Sequence, residues 1–173
     1  MMTRSSATGL ILCLALCLGV SCLALAQARP QTPNDKAVKR VAHATGTFEV
    51  KLVPLTSDEQ GKNAFLGRMS IDKQFHGDLE GTSKGEMMTA GDVAKGSAGY
   101  VALEQVTGTL QGRSGSFILQ HSATMTRGTP QLSITVVPDS GTGQLEGISG
   151  AMTVKITDGK HFYDFEYTLP AAH

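Results

Sequence analysis

The stretch Thr47-Phe48-Glu49-Val50-Lys51-Leu52-Val53 decides how the chain is read. Apolar Phe48, Val50 and Leu52 alternate with polar Thr47, Glu49 and Lys51. A period of two turns alternate side chains to opposite faces, so one face is buried and the other is wet: the pattern of a half-buried strand, not of a helix. Working outward, the same alternation returns at 66–76, 79–88, 98–108, 116–125, 131–137, 151–157 and 161–169. That makes eight expected strands. Pro54, Pro130, Pro138 and Pro170 fall at their ends, where a missing N–H does least harm. Only residues 56–65 have a helix-like composition, and Gly61 weakens it; residues 90–95 suit a single turn.

A repeat punctuates the strands. G-x-L-x-G-x-S occurs at Gly77–Ser83, again at Gly108–Ser114 and again at Gly143–Ser149. Each copy lies between successive strands, where glycines suit tight corners and bends. The three copies predict hairpins that join strand two to three, four to five, and six to seven. Eight antiparallel strands with almost no helix predict an all-β domain: a single eight-stranded antiparallel β-barrel. Closing the sheet removes exposed edges, and eight strands leave room for packed side chains or one small ligand.

The N-terminus carries a different signal. Arg4 precedes an uncharged apolar run over 10–25, which ends in Ala26-Gln27-Ala28. A short apolar segment leading into small-x-small is the pattern of a secretory signal peptide, expected over residues 1–28. A membrane anchor needs a longer apolar run. A lipid-attachment cysteine at Cys22, after Val20-Ser21, is the alternative, but Gly19 stands where such sites carry leucine. The expected localisation is secreted or periplasmic, with no membrane association after cleavage. Residues 29–44, polar with Pro30 and Pro33, read as a flexible leader, and the barrel is expected over 45–170.

Cleavage after Ala28 would remove Cys13, Cys17 and Cys22, which are all three cysteines of the chain. The exported part would then have neither disulfides nor thiol chemistry. It would also lose Arg4, leaving 14 basic against 15 acidic residues. That balance, with no tryptophan and few aromatics, argues against nucleic acid as a partner.

Four blocks resemble a bacterial domain-of-unknown-function family with an allene-oxide-cyclase-like β-barrel. They are Ala44–Val50, Phe75–Gly81, the run from Gly99 through VTGTLQGRSGSFILQ to His121-Ser122, and Val136–Gly147. The resemblance covers most of 44–169. It implies the barrel and brings no mechanism, since the family has no assigned activity and a shared fold does not establish chemistry.

Catalytic strings are sparse. Gly81-Thr82-Ser83-Lys84-Gly85 matches G-x-S-x-G, but a hydrolase elbow needs a helix after the serine, and a strand is expected there. None of the five histidines forms H-x-H or H-E-x-x-H, so neither a metal site nor a cofactor is expected. Polar residues inside strands are more telling. Glu104 shares a face with Tyr100, Ala102 and Val106, although alternation alone does not say whether that face points inward. Pairing around the Gly108–Gly115 turn brings His121 near Glu104, a combination able to share a proton. Arg113, at that turn, is expected to cover the barrel mouth or to pair with an acid.

Glu104, His121, Tyr100 and Arg113 are therefore the candidate anchors for a small apolar or amphipathic molecule in the barrel. Two alternatives stand beside this: a cyclase or isomerase using a barrel carboxylate, and a homo-oligomerising module with an apolar outer stripe and a full interior.

Overall fold

The computed structural model describes residues 40–55 and 66–170. The expected signal peptide, the leader as far as residue 39 and the helix-like stretch 56–65 lie outside the described residues. Eight strands appear in chain order: β1 (Val41–Pro54), β2 (Leu66–Gly77), β3 (Leu79–Asp92), β4 (Ser97–Leu110), β5 (Arg113–Thr126), β6 (Thr129–Val136), β7 (Ser149–Thr157) and β8 (Lys160–Thr168). Each pairs antiparallel with the next, and β8 returns to β1, so the sheet closes into a barrel. Single 3-10 turns lie at Val93–Lys95 and Gly143–Leu145.

The first strand starts earlier than expected. Val41–Ala44, assigned above to the leader, pair with Thr168 back to Phe165 of β8, and Ala44 is fully buried. The small alanines of this segment give little hydrophobic contrast, so the alternation is faint there until β8 supplies a partner.

Glycine-bearing corners fall where the first two copies of the repeat place them, whereas the third copy lies in the longer β6–β7 connection over 137–148, which includes the 3-10 turn Gly143–Leu145 and is not the expected hairpin corner. In the β4–β5 corner, Gln111 and Gly112 both have positive φ, which matches the right-handed twist of the strands they join. The inner glycines of the repeat have a separate task. Gly81 of β3 faces Gly108 of β4, and a Cβ on Gly108 would collide with the Glu80 carbonyl and come within 2.7 Å of the Gly81 Cα. Removing both side chains lets the two strands coil tightly against each other.

The interior is divided along its length. At the end carrying the β2–β3, β4–β5 and β6–β7 connections, Leu79, Leu110, Leu145, Ile148, Phe75, Phe117, Phe165 and Tyr167 fill the barrel. Phe117 stacks on Phe165 with centroids 5.6 Å apart, and Phe165 stacks on Tyr167 at 5.3 Å. Toward the other end the inward side chains become smaller or more flexible, with Ile71, Met87 and Ala102 forming a separate small cluster. The seam between β6 and β7 is held by the single register pair Thr135↔Ala151 among the described residues.

Gly108→Val is expected to destabilise the barrel by about 3 kcal/mol or more, since backbone rather than a flexible side chain occupies the space. Urea unfolding of the variant beside Gly112→Ala, whose added Cβ meets nothing within 4 Å, checks this. The Gly112 change is expected to cost less because it strains only a turn.

Candidate ligand site

The parity that the sequence left open on β4 resolves inward. Ala102, Glu104 and Val106 are buried, whereas Val101, Leu103 and Gln105 face solvent. On β5 the inward set is Phe117, Leu119 and His121, and the register sets His121 opposite Ala102 and Leu119 opposite Glu104. His121 is therefore one diagonal step from Glu104. Its Nε2 lies 3.0 Å from Glu104 Oε1.

Two further side chains converge on the same carboxylate. Lys73, inward on β2 between Ile71 and Phe75, donates from Nζ to Glu104 Oε1 at 2.7 Å. Ser83, inward on β3, donates from Oγ to Glu104 Oε2 at 2.9 Å. Glu104 is 1% exposed, Ser83 1%, His121 4% and Lys73 8%. Lys73 Nζ also sits 4.9 Å from the Phe48 ring centroid and 5.8 Å from that of Phe75, which adds cation–π attraction. Every buried side-chain polar atom among the described residues has a partner.

Burial by itself pushes the Glu104 carboxyl up. The hydrogen bond from His121, the charges of Lys73 and His121, and the hydrogen bond from Lys73 outweigh it and bring the carboxyl down to about 2. Glu104 is thus a fixed anion at neutral pH. Tyr100, half-buried on the same face of β4, has its hydroxyl pushed up by burial and then by the Glu104 charge, so it stays protonated.

Above this polar group the barrel opens into a cavity of about 570 Å³. Its walls are mostly apolar: Val50, Met69, Met87, Ala123, Ile134 and Val154 are representative. Lys73 and His121 are at its polar floor, Tyr100 and His161 also border it, and the space extends to Val93, Pro130 and Ile156 at the end opposite the packed core.

The structure thus gathers Glu104, His121 and Tyr100, as expected, and separates Arg113 from them. The expectation that Arg113 covers the mouth is corrected. Arg113 is exposed at the β4–β5 corner, which belongs to the filled end, and its charge lowers the Tyr167 hydroxyl there against the larger effect of burial. Alternation could not tell which of the two barrel ends would be left open.

Lys73 and Ser83 were missed as site residues. The signal for Lys73 was present: a lysine between Ile71 and Phe75 on the apolar face of a strand. Ser83, set aside as a nucleophile, indeed lies within a strand with no helix after it. Its hydroxyl bonds to Glu104 and not to His121, so serine, imidazole and carboxylate are joined in an order that activates no nucleophile. Among the described residues no group of three His, Cys, Asp or Glu side chains could hold a metal ion.

Fold and site together define a closed eight-stranded barrel, packed at one end and hollow at the other, with an ion-paired floor between. The chain belongs to the family described as protein of unknown function (DUF3224), whose profile matches residues 44–167. A solved structure of a DUF3224 protein of unknown function from Shewanella oneidensis MR-1 is similar to it. That structure has 49% sequence identity and a TM-score of 0.70, and the similarity covers 76% of this chain and 100% of the other. No curated protein matches.

Replacing Glu104 with Gln is expected to destabilise the barrel by about 3 kcal/mol, because Lys73 is left as a buried cation without its counter-ion. The wild-type carboxyl is depressed on folding, so its contribution is complete above an ordinary glutamate pKa. It is lost as pH falls from about 4.5 toward 2. Urea unfolding at pH 7 and pH 3 checks both: the gap between wild type and Glu104→Gln should narrow at pH 3.

Proposed function

We propose that the barrel binds a small apolar or amphipathic molecule in its hollow half. The cavity of about 570 Å³, mostly apolar in its walls and with Lys73 and His121 at its floor, carries this reading. Ligand sites are typically concave, largely apolar and of this size, with a few converging polar groups that set orientation. An unfilled space of this extent would otherwise be a cost to stability that larger side chains could remove.

The cyclase or isomerase alternative is less well supported. A carboxylate held by three donors and depressed to about 2 is a poor proton donor or acceptor near neutral pH. The assembly alternative draws support from Met88, Val101 and Leu103, which expose 44%, 56% and 55% on the outer face. It also called for a full interior, and the hollow half does not fit that.

Ala123 lines the cavity. A titration with N-phenyl-1-naphthylamine, a neutral apolar fluorophore, tests the proposal. Wild type should enhance its emission saturably, and Ala123→Trp, which takes up part of the cavity, should weaken binding by about tenfold or more. Folded wild type that does not bind the dye, or a folded Ala123→Trp that binds it equally well, would overturn the reading.

Export is part of the same proposal, supported by the apolar run and the Ala26-Gln27-Ala28 pattern. The intact mass of the protein from its own cells should match a chain beginning at Arg29. A mass that includes residues 1–28 would refute cleavage there, and a lipid adduct beginning at Cys22 would establish the anchored alternative.

A further inference from the structure

The floor of the cavity holds two basic side chains and one acid. Glu104 is ionised and can only accept hydrogen bonds, so His121 must place its hydrogen on Nε2, the nitrogen 3.0 Å from Oε1. Nδ1 of His121 has no hydrogen-bond partner among the described residues. No buried polar atom there lacks one, so Nδ1 is accessible from the cavity that His121 lines. Lys73 uses one N–H on Glu104 Oε1; its side chain lines the same cavity, with Nζ 4.9 Å from the centroid of the Phe48 ring, which lines it too. An ammonium carries three donors, so Lys73 has N–H groups to spare for a ligand oxygen.

The charge count decides which oxygen. With a neutral imidazole, Lys73 and Glu104 cancel and the floor is neutral. An anion entering then would leave one negative charge in excess within apolar walls, which is costly. If His121 takes a proton on Nδ1, the floor carries one cation in excess, with two N–H donors directed at the cavity. A carboxylate restores neutrality and accepts from both through charge-assisted hydrogen bonds.

The groups around His121 favour this pairing. β4 contributes Glu104 and Tyr100, β2 contributes Lys73 and β3 contributes Ser83; from β6, Ile134 is its register partner and is apolar. β1 and β7 contribute apolar lining such as Val50 and Val154, and His161 of β8 borders the same cavity. Among the described residues no carboxylate side chain lines the cavity to compete for the proton.

We infer that the ligand is an apolar chain ending in a carboxylate, seated on Lys73 and His121, and that its binding is coupled to uptake of one proton by His121. This rests on the proposed binding function and specifies its ligand class. At a liquid-like volume of about 30 Å³ per water-sized group, the cavity admits a molecule of roughly 15–20 such groups. A medium-chain acid fits with its head on the floor and its chain toward the open end.

Titration calorimetry with decanoate and 1-decanol, from pH 5.5 to 8.5 and in two buffers of different ionisation enthalpy, tests this on the folded barrel. Decanoate should bind about tenfold or more tighter than decanol at pH 5.5. Its log-affinity should fall with pH with a slope approaching −1 on the alkaline side, with matching proton uptake, because the bound state holds one more proton. Decanol should show no such slope. His121→Gln keeps an N–H donor for Glu104 and should abolish both slope and proton uptake.

Lys73→Met should lose the preference for decanoate. Since that change deprives Glu104 of a partner, Lys73→Met/Glu104→Gln is measured beside it; removing the cancelling pair together leaves the charge count unchanged, so this variant should keep the pH slope and regain part of the preference for decanoate. Decanoate binding no tighter than decanol at pH 5.5, or proton uptake that persists in His121→Gln, would overturn the inference and leave the binding function standing. If neither probe binds at any pH, the binding function falls with it.

Discussion

The carboxylate of Glu104 is where the halves of this barrel meet. Three donors from three other strands, Lys73 of β2, Ser83 of β3 and His121 of β5, close on its two oxygens. A charge this deep is stable only when its partners are in place, so the register of β2 through β5 and the ionisation of Glu104 depend on one another. On one side of it the aromatic core is solid; on the other the wall side chains leave a cavity.

The division follows from how much side chain each level presents. In the filled half, large residues meet glycine: Gly81 and Gly108 take no inward volume, and Phe75, Phe117 and Phe165 occupy the space. In the hollow half the inward positions include Ala98, Ala123 and Ala102, whose small side chains leave the space open. A closed sheet of fixed strand number has a nearly fixed bore, so the inward residue sizes determine whether it is plugged or open. Lys73 suits the boundary, since its ammonium meets the anion while lying near the Phe48 ring.

An ionised, fully hydrogen-bonded glutamate is better suited to orienting neighbours than to exchanging protons. It accepts hydrogen bonds from His121 Nε2 and from Lys73, and of its three donors those two side chains border the cavity. The site is therefore an ion-paired floor beneath an apolar sleeve, the geometry on which the proposed binding function rests. The family profile and the Shewanella oneidensis structure agree with the fold and leave the chemistry to be read from these side chains.

Eight strands, their order and most of their limits were legible in the alternation of apolar and polar residues, because a period of two reports a two-faced sheet directly. The repeat located the β2–β3 and β4–β5 corners for the same local reason, since a tight turn favours glycine, but it gave no sign that the β6–β7 connection is long. The Glu104–His121 contact was also within reach, since a hairpin with a known corner determines its own register. Lys73 and Ser83 were not, because their meeting with Glu104 spans β2, β3 and β4, and no local pattern states how far one hairpin slides past the next. Arg113 was misplaced because alternation defines faces and is silent about ends. The sequence by itself determined a two-faced, eight-stranded sheet with tight corners. Only closure of that sheet decided which end filled, which end stayed hollow and which three donors reached one carboxylate, since those outcomes depend on volumes and charges summed across strands distant in the chain.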